Sequence, residues 1–229
     1  MSTLETQKFL NTFRIAWQSA LAAALCLGLP AGLLLWLILF QKISHSVFVK
    51  PLIDFLHTNG LYSIFILVVS STVWSYLLAR ISGYRPWWRI GAASALGILA
   101  AWFSPLANVD GILYEYQPNM PIHLNYAASM VGLIGSVTLF VGLAYGILLR
   151  SIKAALTIGL TTSLISVLVL LLTIFVFDRL GIRVGTGNLA MVRVTAADLI
   201  TSALAGGMVL GIEFSRFVRE EKYQPSAIS

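Results

Sequence analysis

Charge is scarce in this sequence. Only 15 Lys and Arg and 9 Asp and Glu residues occur among 229, or 10% of the chain, whereas soluble domains usually carry about 25%. A chain of this length could bury a single soluble core, but so few charges could not cover the outside of that core. With 58% hydrophobic residues and a mean hydropathy of +0.87, the composition predicts an integral membrane protein.

Cysteine is also nearly absent, because Cys26 is the only one. A single thiol excludes an internal disulfide and any paired-cysteine redox or zinc motif. Cys26 lies inside an apolar run, so we interpret it as a small hydrophobic residue that packs in the interior.

Ionisable side chains are missing from the middles of the long apolar runs. About 20 apolar residues cross a bilayer, and the chain has six candidate spans at 20–40, 61–79, 90–107, 124–149, 154–177 and 195–214. Proton-coupled transport normally needs a titratable relay inside the bundle, and haem held between helices normally needs deep histidines. The absence of such residues disfavours proton-coupled transport and haem binding. The sequence therefore predicts an all-α, polytopic membrane protein with six transmembrane helices.

The distribution of Lys and Arg predicts the orientation. Ten of them fall on the side of the two termini and five on the other side, which favours cytoplasmic N- and C-termini. Residues 1–19 would then form a cytoplasmic amphipathic start of helix one, 20–215 the six-helix transmembrane domain and 216–229 a cytoplasmic polar tail. The net charge of +6 is explained by these inner segments, so no nucleic-acid partner is expected.

Short interfacial helices are predicted beside the spans. Ser2 and Glu5 fit a capping box, and the helix that follows would lie on the inner surface. A second short helix over 51–57 would lie along the outer interface. Thr195 and Asp198 form another capping-box match, which predicts the start of the sixth helix.

The second inner loop carries an alternation of arginines and tryptophans, with Arg85, Trp87, Trp88 and Arg89 as candidate site residues. Arginine pairs with phosphate and tryptophan prefers the headgroup level. The cluster would bind a specific lipid or a cytosolic partner, or it would form an ordinary aromatic belt with positive anchors.

The outer side collects the histidines and several acids, from which we select His123, Asn125 and Asp198 as candidate ligand contacts. No metal-ligand spacing such as HExxH occurs among them, so no metal site and no catalytic residue is assigned. Asp198 would contact an ion or substrate, or it would only cap the sixth helix.

Small and hydroxylated residues recur along the spans. Glycines spaced four apart allow helix backbones to approach closely; these pairs are Gly28/Gly32, Gly142/Gly146 and Gly207/Gly211. Serines and threonines concentrate near Ser71 and Ser163, where they would bond neighbouring helices or line a polar path.

Three functions remain open. The first is a non-catalytic membrane subunit that packs with partner membrane proteins, with further copies of itself, with membrane lipids or with an apolar cofactor of unknown identity. The alternative is a transporter or channel component for a small neutral or apolar solute, and the third is a membrane enzyme with an outer-face site. The expected location is the plasma (inner) membrane, with an organellar inner membrane as the alternative.

Overall fold

The computed structural model describes residues 3–28, 61–108, 121–182 and 188–223. This part of the chain is 91% helical and contains no strand. Its six α-helices, in chain order, are α1 Thr3–Ala23, α2 Leu61–Ser82, α3 Trp87–Trp102, α4 Ile122–Leu148, α5 Ile152–Arg179 and α6 Asn188–Tyr223. A π-helical turn, Ala24–Gly28, extends α1, and a 3-10 turn, Pro105–Asn108, follows α3.

Within the described residues, three helices contain segments that are long and apolar enough to cross a membrane. These segments are Leu124–Leu148 in α4, Ile152–Arg179 in α5 and Val194–Glu220 in α6. The prediction of an all-helical membrane protein is thereby confirmed, whereas six spans with cytoplasmic termini stay a prediction. Most of the first predicted span and the whole interfacial helix at 51–57 lie outside the described residues.

The exposed face of α5 agrees with a lipid environment. One leucine in every four residues points outward along five successive turns: Leu156, Leu160, Leu164, Leu168 and Leu172. In water such a continuous apolar stripe would promote association. Against lipid tails it carries no penalty, because the tails are as apolar as leucine.

The chain reverses sharply between α4 and α5. Arg150 adopts a left-handed backbone conformation with φ of 51°, and the Ser151 N–H donates to the Gly146 carbonyl at 3.1 Å. This pattern closes the end of a helix. Ser151 then caps α5, because its hydroxyl accepts from the Ala154 N–H at 3.1 Å.

Two predicted helix boundaries are wrong. The helix α6 begins at Asn188, so Thr195 and Asp198 lie in its interior and do not form an N-terminal cap. The helix α3 ends at Trp102, five residues before the end of the predicted third span. Pro105 explains this early end, since proline lacks the N–H that a helix needs.

Glycines set the spacing between α4 and α5. A Cβ atom at Gly142 would lie 2.5 Å from the Gly159 Cα, and one at Gly146 would overlap the Ala155 backbone. Gly142 of α4 lies against Gly159 of α5, and the later residue Gly146 lies against the earlier residue Ala155. The two helices are therefore antiparallel. The predicted close approach at Gly142 and Gly146 is confirmed.

The helix α1 packs against α6 in the same manner. A Cβ atom at Gly207 would overlap Ala23 and lie 2.9 Å from the Ser19 carbonyl oxygen, and one at Gly211 would overlap the Ser19 side chain. These helices are therefore also antiparallel, and the predicted role of Gly207 and Gly211 is confirmed. For the third predicted pair, Gly32 lies outside the described residues.

Candidate functional site

The predicted site residues fall at three places in the fold. Arg85 lies in the connection between α2 and α3, and Trp87, Trp88 and Arg89 form the first turn of α3. All four side chains are exposed. The structure brings these four residues together at one end of the bundle, beside two distinct pockets.

The first pocket is an apolar groove of 580 Å³ between α3 and α4. On the α3 side its walls are mostly small, because Ala92, Ala93, Gly97 and Ala100 recur there. A Cβ atom at Gly97 would lie 2.6 Å from the Val141 Cα, so glycine lets the two backbones approach there. The larger side chains of the opposite wall are Phe140, Leu143, Ile147 and Leu148.

One end of this groove is positively charged. Arg89 and Trp88 line it, and the Arg89 guanidinium lies 5.5 Å from the centroid of the Trp88 ring. From Arg89 to Ala100 the helix rises about 16 Å, which matches about 15 Å for one leaflet of the hydrocarbon core. The groove is thus about as long as one leaflet is thick. At one end of it the Arg89 guanidinium lies beside the Trp88 ring.

The second pocket, also of 580 Å³, lies on the other side of the connection. Arg80 and Arg85 line it together with Tyr76 and Trp87, whose rings meet edge to face with centroids 6.5 Å apart. The Arg80 guanidinium lies 5.6 Å from the centroid of the Tyr76 ring. Two cations in one pocket, of which Arg80 lies against an aromatic ring, form a surface that attracts anionic groups.

The predicted outer site is only partly assembled. His123 is in the first turn of α4 and its side chain lies outside the described part, while the buried Oδ1 atom of Asn125 has no hydrogen-bond partner. Among the described residues no three His, Cys, Asp or Glu side chains form a metal-binding group. Asp198 is bonded instead to Tyr126, the next residue along α4.

Asp198 is nevertheless an unusual residue, because a carboxyl group is completely buried within an apolar helix. Tyr126 donates a hydrogen bond to its Oδ2 atom at 2.7 Å, and the Tyr126 oxygen lies 3.1 Å from the Thr195 hydroxyl. The Oδ1 atom of Asp198 has no partner. The two helices α4 and α6 are therefore joined by a carboxyl group that still has capacity to bind.

A third candidate site is a cavity of 80 Å³ in the middle of the bundle. Each of the six helices contributes to its lining: Ala23, Trp74, Ser94, Ile98, Val137, Thr138, Val141, Thr162, Ser202, Ala203, Gly206, Gly207 and Leu210. Thr162 and Ser202 are buried, and neither hydroxyl has a hydrogen-bond partner. Each unsatisfied buried hydroxyl costs about 1–3 kcal/mol.

Sequence reasoning selected the arginine–tryptophan cluster but missed the cavity. The abundance of Ser and Thr in the spans was visible, yet Ser163 donates across to the Gly135 carbonyl at 2.9 Å and so serves packing. Only the three-dimensional arrangement separates it from Thr162, whose hydroxyl is left unpaired. No periodicity in the sequence carries that distinction.

Comparisons with known proteins add no assignment: no protein-family model matches the chain, and neither curated proteins nor solved structures give a match. The groove, the arginine pocket and the cavity therefore define the candidate chemistry by themselves. Two of them suit an anionic amphiphile, and the third suits a small neutral molecule.

Proposed function

We propose that this protein is a non-catalytic membrane subunit that binds an anionic phospholipid in the groove between α3 and α4. The observation that carries the proposal is the combination of a leaflet-deep apolar groove with an arginine and a tryptophan at one end. A phospholipid has a matching arrangement of groups, because an apolar acyl chain lies below a negatively charged phosphate.

The apolar walls suit an acyl chain. Alanine and glycine on α3 leave room beside the helix, and Phe140, Leu143 and Ile147 on α4 supply the surface that a methylene chain would cover. Each methylene removed from water contributes about 0.8 kcal/mol, but chains compete with other lipids in a bilayer. Shape therefore selects an acyl chain, whereas the headgroup must supply the preference among phospholipids.

The charges at the end of the groove favour an anionic headgroup. Arg89 lines the groove, and within the described part no acidic side chain lines it. Arg80 and Arg85 in the neighbouring pocket raise the local positive potential. In the predicted orientation this end faces the cytoplasmic leaflet, where anionic lipids concentrate.

Native mass spectrometry tests the proposal on protein reconstituted with equal amounts of phosphatidylglycerol and phosphatidylcholine. Arg89→Gln is expected to lower phosphatidylglycerol retention about 1.4- to fivefold, because exposed ion pairs contribute about 0.2–1 kcal/mol. Lys153→Gln is the matched control, since Lys153 is exposed in the first turn of α5 and lines neither pocket. Equal retention of both lipids by the wild type would refute the proposal.

The central cavity favours a second function, a transporter or channel component for a small neutral solute. A cavity lined by six helices and by unpaired hydroxyls is the arrangement that such a solute would need. Reconstituted vesicles should then show solute flux that Ser202→Leu reduces. Flux equal to that of empty vesicles across a panel of small neutral solutes would eliminate this function.

Partner proteins belong to the same proposal, because a subunit must co-purify with the proteins that it contacts. Mild-detergent purification from native membranes should retain them at stoichiometric amounts. A chain that elutes alone as a monodisperse monomer would remove the subunit part of the proposal and leave the lipid-binding part standing.

A further inference from the structure

The hydroxyl groups around the central cavity differ in how they are satisfied. Ser94 donates to the carbonyl of Ile90 at 2.8 Å and Thr138 to that of Ile134 at 2.6 Å. Both residues thus use the carbonyl one turn earlier, which is the usual choice of a helical hydroxyl in an apolar setting. Their polar atoms need no further partner.

Thr162 and Ser202 are the exceptions. Both side chains line the cavity and are almost completely buried, yet neither hydroxyl is bonded to a backbone carbonyl or to another side chain. The two residues come from different helices, α5 and α6, so the unpaired groups converge on one space. A third unpaired hydroxyl, that of Ser166, lies one turn further along α5. It is close to Gly206, where a Cβ atom would come within 2.5 Å of its oxygen.

We propose that this cavity is a binding site for a cluster of about three water molecules, which bridge Thr162 and Ser202. A volume of 80 Å³ corresponds to about three molecules at the volume that water occupies in the liquid. Buried water is found where a polar cavity offers two to four hydrogen-bonding groups, whereas purely apolar cavities stay empty. Two convergent hydroxyls meet this requirement.

The lining also selects against other occupants. None of the described residues that line the cavity is ionisable, so a charged ligand would find no counter-ion there. An acyl chain would leave the two hydroxyls unpaired, which is the penalty that water removes. This inference does not rest on lipid binding in the groove, because the groove and the cavity have no lining residue in common.

Radiolytic footprinting of the full chain in nanodiscs tests the proposal. Ionising radiation converts bound water to hydroxyl radicals, which modify the nearest side chains even where bulk solvent is excluded. Trp74 lines the cavity and is only 4% exposed, so we expect its oxidation in the wild type. The double variant Thr162→Val/Ser202→Ala should lower that oxidation about threefold or more, because it removes both anchoring groups.

The control is Thr173→Val, which removes a hydroxyl from the same helix interface. Thr173 contacts Thr201 at 3.1 Å and does not line the cavity, so Trp74 oxidation should not change. If the double variant fails to elute as a folded protein, Ser202→Ala alone replaces it. Trp74 oxidation no higher than that of equally buried residues, or unchanged oxidation in a folded variant, would overturn the proposal. Xenon binding in the wild-type cavity would overturn it as well, because xenon occupies dry cavities.

Discussion

The Trp74 indole N–H donates a 2.8 Å hydrogen bond to the Tyr145 hydroxyl and so joins α2 to α4 inside the core. Because the Ser94 hydroxyl gives its only hydrogen to the Ile90 carbonyl, the Tyr145 hydroxyl donates in turn to Ser94 at 2.6 Å. Three helices are thereby linked through one buried chain of hydrogen bonds. The Tyr145 ring also contacts Phe214 of α6, with centroids 5.2 Å apart.

Tyr145→Phe should destabilise the protein by about 1–3 kcal/mol, because it leaves the buried Trp74 N–H without an acceptor. The Ser94 hydroxyl keeps its bond to the Ile90 carbonyl, so the loss concerns Trp74 alone. Thermal unfolding in detergent, followed by tryptophan fluorescence, measures the change. Comparison with Trp74→Phe and with the double variant Trp74→Phe/Tyr145→Phe gives the coupling energy of the pair. Strictly additive losses would contradict the hydrogen bond between Trp74 and Tyr145.

Gly146→Ala should destabilise the bundle by about 1–3 kcal/mol, the usual range for overpacking. The new Cβ atom would overlap the Ala155 backbone, and backbone atoms cannot move aside without separating α4 from α5. Gly135→Ala is the control on the same helix pair, because its Cβ would meet side-chain atoms and no backbone, with Val167 Cγ2 at 3.2 Å and Ser163 Oγ at 3.7 Å. Equal losses in the two variants would show that the α4–α5 spacing is not set at Gly146.

Ala100→Trp should reduce phospholipid retention while Arg89 is intact, because an indole at the far end of the groove occupies the space of the acyl chain. Leu99→Trp is the matched control, since Leu99 is exposed beside the groove and does not line it. Native mass spectrometry of both variants after identical purification gives the comparison. If both tryptophans lower retention equally, the lipid binds around α3 in general and not in this groove.

The sequence predicted the class of this protein for a simple reason, since uncharged runs of about 20 residues have few alternatives to a helix in lipid. The arginine–tryptophan cluster was equally visible because its members are adjacent. The groove beside them was not, since its shape depends on the contact of Gly97 with Val141, 44 positions away in the chain. The start of α6 was misplaced because Thr195 and Asp198 match a local capping pattern, whereas Asp198 is in fact bonded to Tyr126 on another helix.

That bond gives the sharpest test of the α4–α6 contact. Tyr126→Phe should destabilise the protein by about 1–3 kcal/mol, because the fully buried Asp198 would lose the donor to its Oδ2 atom while Oδ1 already has none. Asp198→Asn should cost less, since the amide oxygen can still accept from Tyr126.

The double variant Tyr126→Phe/Asp198→Leu should recover much of the loss, because an apolar side chain has no need of a donor. Thermal unfolding of the three variants in one detergent provides the ranking, with Tyr76→Phe as the control for an exposed tyrosine. A Tyr126→Phe variant as stable as the wild type would mean that Asp198 is satisfied by another group. The Oδ1 atom of Asp198, which has no partner in the structure, would then be the atom to examine for a bound ligand.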